Sequence, residues 1–307
     1  MDEKMKAELM KVSSALLFDE PLSRHTTIRV GGPADVLVNP KTIEELEALV
    51  LLARKNNTPI FILGAGSNLL VRDGGIRGLV ITLAKSFGEI RLEDEQQDTA
   101  LLYAEAGVGI PRLVDFTADE GLTGLEPISG IPGNVGGALF MNAGTPDGDI
   151  GSRVETVTFM NKEGKLQTWT AKQIKFEYRK SHFPSGAILL SARLKLDRKS
   201  SELVRGKIQK YRSHRVETQP LTVPNLGSVF KNPKEKKMFA GELIEHAGLK
   251  DVRVGGARIS PKHGNWIVNE GGASARDVLA LMGLMKDKVK EKFGVSLEPE
   301  VKVVGEE

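Results

Sequence analysis

The chain of 307 residues contains no cysteine. Disulfides, thiolate metal sites and a cysteine nucleophile are thereby excluded. Long apolar runs are missing too, since glycine or charge breaks every hydrophobic stretch short of the roughly 18 residues that span a bilayer. Residues 1–11 mix Asp, Glu and Lys without the apolar run of a secretory signal, so a soluble cytoplasmic protein is expected, with no membrane partner. Nor is there an excess of one charge. With 43 basic and 40 acidic residues the net charge is +3, far from the basic stripe of a nucleic-acid binder, and no nucleic-acid partner is expected. No second histidine lies at metal-ligand spacing from His263, so no metal is expected either.

Glycine is what the chain has in quantity. The 33 glycines gather at the ends of short apolar runs, where positive φ or close backbone approach is needed, and this distribution points to a ligand handled by loops. Around them the hydrophobic pattern alternates between the two periods of an α+β protein. Residues 34–38 read as a strand. Thr42 then caps a helix with Ile43, Leu46, Leu49, Val50 and Ala53 on one face, and residues 60–63 follow as a buried parallel strand, making a βαβ unit. Residues 69–71 and 79–83 extend the strand pattern. From about residue 88 the chain turns β-rich, with strands over 101–104, 154–160, 166–169 and 188–196 and one helix over 110–120. A charged helix over 201–215, read as a solvated face, leads to a third region. That region holds helices over 238–247 and after the cap Ser274, and a last strand over 301–304. Three domains are expected, at 1–86, 87–200 and 201–307, with the final strand returning to the first.

Two glycine loops carry the candidate chemistry. Residues 64–68, GAGSN, close a strand with clustered backbone amides and two hydrogen-bonding side chains, as a diphosphate requires. The segment is neither GxGxxG nor a Walker loop, and a tight turn between strands explains it equally well by itself. Residues 130–137, GIPGNVGG, place four glycines beside Pro132; they let a flat or anionic ligand approach, or they form a corner between strands. Two such loops in different domains favour one extended ligand reaching both.

Six segments add a resemblance: HTTIRVGGPA at 25–34, LGAGSNLLV at 63–71, GIPGNVGGA at 130–138, YRKSHF at 178–183, GSVFKNP at 227–233 and LEPEV at 297–301. In this order they resemble the UDP-N-acetylenolpyruvoylglucosamine reductase (MurB) family, nearly end to end. The resemblance implies an FAD-binding fold of the vanillyl-alcohol-oxidase type in two subdomains, plus a C-terminal α+β substrate domain. It implies NADPH-dependent reduction of UDP-N-acetylglucosamine enolpyruvate to UDP-N-acetylmuramate, a step of peptidoglycan precursor synthesis, by a monomer. FAD is then held by Gly64, Ala65, Gly66, Ser67, Asn68 and Leu69, and by Gly130, Ile131, Pro132, Gly133, Val135, Gly136 and Gly137. Neither loop contains His or Cys, so the FAD is expected to be non-covalent.

The same resemblance implies a catalytic set. Hydride arriving at the terminal enolpyruvyl carbon leaves carbanion character beside the carboxylate, which must be stabilised and protonated. Arg179 supplies a permanent cation, Ser228 matches the proton donor, and Glu300 matches the acid acting with Arg179. Asn232, Tyr178 and Lys231 match substrate contacts. After Asn142, Ala143 and Gly144 the family continues with a small residue and a tyrosine, where this chain has Thr145, Pro146, Asp147 and Gly148, and no function is carried over there. The spacing of Arg179 and Ser228 fits the shorter class, without the tyrosine-bearing insertion. The competing readings are another FAD-dependent oxidase or dehydrogenase of this fold, and a non-catalytic flavin-binding module.

Overall fold

The computed structural model describes Met1, residues 3–233 and residues 238–307. Contacts divide the chain into two compact units. One comprises residues 1–18, 36–65 and 78–214; the other comprises residues 19–35, 66–77 and 215–307.

The first unit holds two hydrophobic cores. Helix Glu3–Val12 lies where the sequence reads only as polar; its Met5 and Leu9 are its two buried residues, enough to seat it against Leu46, Leu49 and Val50 of helix Ile43–Lys55. The second helix starts as expected, with Thr42 Oγ1 accepting the Glu45 amide at 3.2 Å. Strand Ile60–Leu63 runs parallel to Ile76–Thr82, pairing Ile60 with Leu79 and Leu63 with Thr82. The sheet order places Ile76–Thr82 between Pro33–Val38 and Ile60–Leu63, so the two strands of the expected βαβ unit are not neighbours.

The larger core of this unit packs against an antiparallel sheet in the order Leu166–Thr170, Val154–Met160, Ile188–Arg198, Thr99–Glu105, Ile90–Glu95. Helix Ile110–Asp119 buries Ile110, Leu113, Val114, Thr117 and Ala118, an i, i+3, i+4, i+7, i+8 stripe. Within this strand-rich stretch the glycine run opens a short helix, Val135–Met141, which stops where Asn142 turns left-handed at φ 44°.

The second unit is built on helix Ala275–Phe293, whose Val278, Leu281, Met282, Met285 and Val289 are buried with Leu226, Val229, Phe230 and Ile267. Its sheet runs antiparallel in the order Asn225–Ser228, Trp266–Asn269, Ala257–Ile259, Arg253–Val254. Strand Lys302–Val304 pairs in parallel with Leu69–Val71. The helix expected over 238–247 is shorter, Ala240–His246, because the Asn232 side chain and Glu242 satisfy the amides of Ala240 and Phe239. Asp73 caps the long helix, accepting the Ala275 amide at 2.8 Å and the Arg276 amide at 3.1 Å. Asp73→Ala is therefore expected to cost about 1–2 kcal/mol in chemical denaturation; an unchanged midpoint would show that the cap is dispensable.

His263 sits in this second unit with Nδ1 accepting the Asn265 amide at 3.2 Å. Burial, the largest influence, drives its pKa below the ordinary value; Glu245 opposes this and Lys250 adds to it. A depressed pKa gives stability that is complete above the unfolded value, about 6.5, and is lost as pH falls through the folded value. Denaturation curves should therefore show less loss of stability between about pH 7 and pH 5 in His263→Gln than in the native chain; an equal loss would remove His263 from the account.

Candidate active site

The predicted site residues fall into two groups, one in each unit. In the first unit, Gly64 ends strand Ile60–Leu63, and a Cβ placed there would approach nothing but Asn134 Oδ1, at 4.0 Å. Asn134 donates through Nδ2 to the Gly107 carbonyl at 2.7 Å, which fixes its amide plane. Its Oδ1 is buried and has no hydrogen-bond partner among the described residues. An unsatisfied buried carbonyl of this kind costs about 1–3 kcal/mol and calls for a donor from a ligand or water. Gly137, four residues into the same run from Gly133, has nothing within 4 Å of the Cβ it lacks.

Not every amide of this run is available to a ligand. The amides of Val135 and Gly136 are spent on Val108 and Ala106 at 2.8 and 2.9 Å, and that of Ile131 on Ile128 at 3.1 Å. Their contribution is to fix the loop's course, which narrows the sequence reading of many free backbone donors.

Arg179 belongs to the same group. It occupies the second position of a two-residue turn between Phe176–Glu177 and Lys180–Ser181, with φ 55°, where glycine is the usual choice. The turn is pinned to helix Val135–Met141 and its cap: Ser181 Oγ donates to the Leu139 carbonyl at 2.6 Å, and Asn142 Nδ2 to the Glu177 carbonyl at 3.0 Å. The arginine is thus tied by two hydrogen bonds to the segment that follows the second glycine loop. Tyr178 is 47% exposed, with the Arg179 guanidinium 5.1 Å from its ring centroid.

The second unit gathers the rest. Gly66 has φ 63°, and a Cβ there would lie 2.2 Å from the His25 carbonyl oxygen, so only glycine fits this turn. Asn68 Nδ2 donates to the Glu300 carbonyl at 3.2 Å, and the Asn68 carbonyl accepts the Lys302 amide at 3.1 Å. The Val229 carbonyl accepts the Glu300 amide at 2.9 Å, which brings Glu300 beside the end of the strand carrying Ser228. Ser67, Ser228 and Glu300 are therefore neighbours along adjoining backbones: a Cβ on Gly227 would meet the Ser67 carbonyl at 3.3 Å. Lys231 is tied to Glu298 at 2.5 Å, and Asn232 Oδ1 accepts the Ala240 amide at 3.1 Å, so both already hold the local fold. In the first unit the departing loop 145–148 is a tight hairpin, fastened by Tyr211 donating to Asp147 at 3.0 Å.

One residue escaped the sequence reading. The helix expected to end at 215 continues to Thr218, and Arg215 does not lie on a solvated face: burial pushes its pKa down to about 10. Its Nε is buried without a partner, and Arg215 makes no ion pair among the described residues. A half-buried cation that makes no ion pair among the described residues can meet an anion that arrives as a ligand. Its only signal in the sequence is its place four residues before Gln219 and Pro220, where a charged helix gives way to a loop.

With this geometry in view, the chain compares closely with known proteins. Residues 34–170 match the family model described as FAD binding domain, and residues 219–304 match that of the UDP-N-acetylenolpyruvoylglucosamine reductase C-terminal domain. A protein named UDP-N-acetylenolpyruvoylglucosamine reductase from Clostridium botulinum (strain 657 / Type Ba4) is 40% identical over 304 residues, covering 99% of this chain and 97% of that protein. One of the same name from Rubrobacter xylanophilus is 44% identical over 300 residues, covering 97% and 98%. The chain belongs to the UDP-N-acetylenolpyruvoylglucosamine reductase family.

The solved reductase (MurB) structure from Thermus caldophilus superposes with a TM-score of 0.79 at 39% identity, covering 94% of this chain and 97% of that one. A Physcomitrella patens BBE-like 1 variant matches with a TM-score of 0.50 at 19% identity over 63% of this chain and 44% of its own, a likeness of fold alone. The fold class implied by the motifs is the one observed: an oxidase-type FAD-binding fold joined to the reductase C-terminal domain. The first unit's residues fit the flavin of this family, because Asn134 Oδ1 awaits a donor and Gly137 opens on free space.

Arg215 gives this site a thermodynamic signature. Arg215→Met removes a half-buried charge that makes no ion pair among the described residues, so the ligand-free chain should gain about 1 kcal/mol in urea unfolding while affinity for its anionic ligands falls. Lower stability with undiminished anion affinity would assign the residue a structural role instead.

Proposed function

We propose that this chain reduces the enolpyruvyl double bond of UDP-N-acetylglucosamine enolpyruvate, giving UDP-N-acetylmuramate, with NADPH as electron source. The observation that carries this reading is the end-to-end likeness to the reductases, with Arg179, Ser228 and Glu300 at the matching motif positions. As a family member the chain is an FAD-dependent oxidoreductase. FAD supplies two-electron hydride chemistry when bound, and the residues that would hold it are Gly64, Ala65, Asn134 and the run 130–137, with Gly66, Ser67, Asn68 and Leu69 continuing the first loop.

The chain's own residues then manage charge and proton. Arg179, held in a left-handed turn, offers a fixed planar cation to the substrate carboxylate and to the charge that develops beside it. Holding a non-glycine residue at such a φ costs on the order of 1 kcal/mol, a strain typical of functional positions. Ser228 gives its hydroxyl proton to the carbon bearing the carboxylate. Glu300, whose backbone is clamped at Val229 and Asn68, acts with the arginine on the enol form. Tyr178, Asn232 and Lys231 contact the substrate. Asn232 keeps its amide nitrogen for that purpose, since its oxygen caps the Ala240 helix.

The same reading divides the chain into 1–86 and 87–200 for flavin and 201–307 for substrate, and places a monomer in the cytoplasm. There the product feeds peptidoglycan synthesis, and with it cell shape and division. Alcohol oxidation on this fold is the weaker reading, because it needs a base at a hydroxyl and gives Arg179 and Glu300 no carboxylate to hold.

Ser228→Ala separates the two halves of the reaction. Flavin reduction by NADPH should proceed at the native rate, whereas reoxidation by the enolpyruvyl nucleotide should slow at least about 10²-fold in stopped flow. Native turnover in this variant would remove Ser228 as proton donor.

A further inference from the structure

We propose that Asn142 is a positioning residue for the reaction: its side-chain amide sets where Arg179 stands relative to helix Val135–Met141, which leaves the second glycine loop. The inference rests on the reading of Arg179 as the cation that meets the substrate carboxylate.

Asn142 is 2% exposed and forms the left-handed cap of that helix, at φ 44°. Its two amide atoms serve two different segments. Oδ1 accepts the Gly151 amide at 3.0 Å, and Nδ2 donates to the carbonyl of Glu177, two residues before Arg179, at 3.0 Å. The position therefore asks for three things at once: tolerance of positive φ, an acceptor, and a donor on a short stem. Glycine offers the first alone, ionised aspartate lacks the donor, and glutamine has a longer stem and no preference for left-handed backbone. Asparagine meets all three.

The surroundings leave this amide little play. A Cβ on Gly151 would lie 2.6 Å from Asn142 Oδ1 and 2.5 Å from Phe176 Cγ, so glycine is what lets the asparagine and the first residue of the Arg179 hairpin close on one backbone. Phe176 packs edge-on to Phe183 at 6.3 Å, and Phe183 to the fully buried Phe159 at 6.1 Å. At the base of the hairpin the His182 amide reaches the Ile174 carbonyl at 3.0 Å. These contacts hold the two ends of segment 174–183. Between them, Asn142 bonds Glu177 on one strand and the Leu139 carbonyl takes Ser181 on the other, so the end of the helix grips both sides of the turn that carries Arg179. Misplacing a charge-stabilising group by about 1 Å can cost about 10²-fold in rate, which makes a bond two residues away from Arg179 matter to turnover although Asn142 itself is closed off from any ligand.

A double-mutant cycle on the flavin-loaded protein tests this. Asn142→Asp keeps the acceptor for Gly151 and removes the donor to Glu177. In stopped flow it should slow flavin reoxidation by the enolpyruvyl nucleotide at least about tenfold, with reduction by NADPH within about twofold of native. Arg179→Met should slow reoxidation at least about 10²-fold, and Asn142→Asp added to it should bring no further loss, because the asparagine acts through the arginine. Before any substrate is added, 3-fluorotyrosine in place of the three tyrosines gives a second readout: the Tyr178 fluorine signal, assigned by Tyr178→Phe, should move in Asn142→Asp while that of Tyr103 stays fixed. Where Asn142→Asp fails to yield flavin-loaded protein, Asn142→Gly takes its place, since glycine adopts this φ without strain. Native reoxidation in the Asn142 variant, equal slowing of both half-reactions, losses that add in the double variant, or an unmoved Tyr178 signal overturns the proposal. Native reoxidation in Arg179→Met would instead remove the role of Arg179, and the proposal with it.

Discussion

The carbonyl of Val229 accepts the amide of Glu300 at 2.9 Å, and much of the second unit's arrangement depends on that one backbone acceptor. Ser228 precedes it directly on a strand that pairs with Trp266. Glu300 arrives from a segment more than sixty residues later and goes straight on into strand Lys302–Val304, where Lys302 pairs with Leu69 and its amide reaches the Asn68 carbonyl. Three stretches distant in sequence are thereby fixed largely by main-chain hydrogen bonds, with the Asn68 side chain adding one to the Glu300 carbonyl. Main-chain bonds hold position without drawing on the side chains to which the proposed chemistry is assigned.

The positions where local preference is violated are informative in the same way. Arg179 adopts a left-handed φ that glycine would occupy without strain, and Asn134 keeps a buried carbonyl oxygen without a partner among the described residues. Arg215 is half-buried and makes no ion pair among the described residues. Each costs stability in the ligand-free chain. Local costs of this kind are what a protein tolerates at positions kept for function rather than for packing.

Much of this was legible in the sequence where a signal is local. Thr42 and Ser274 announced their helices by the spacing of cap and stripe. Six motifs in order announced the family. Illegible were features that tertiary partners decide. Helix Glu3–Val12 buries only Met5 and Leu9, too few for an apolar stripe to stand out. Strand Ile76–Thr82 enters between two strands that precede it in the chain, which no local pattern encodes. Arg215 looked like one more charge on a charged helix, because nothing in its neighbours' identity reveals that it is buried. At the glycine run 130–137 the sequence suggested close approach of a ligand to the backbone, whereas three of its amides bind the protein itself.

The central claim is that the electrons taken from NADPH are delivered to an enolpyruvyl nucleotide through a flavin, and an anaerobic absorbance titration tests it most directly. NADPH should bleach the bound flavin, and UDP-N-acetylglucosamine enolpyruvate added without oxygen should restore the oxidised spectrum in one-to-one proportion. A flavin that stays bleached after the nucleotide is added, and recovers only when oxygen is admitted, would contradict the account and favour an oxidase on the same fold.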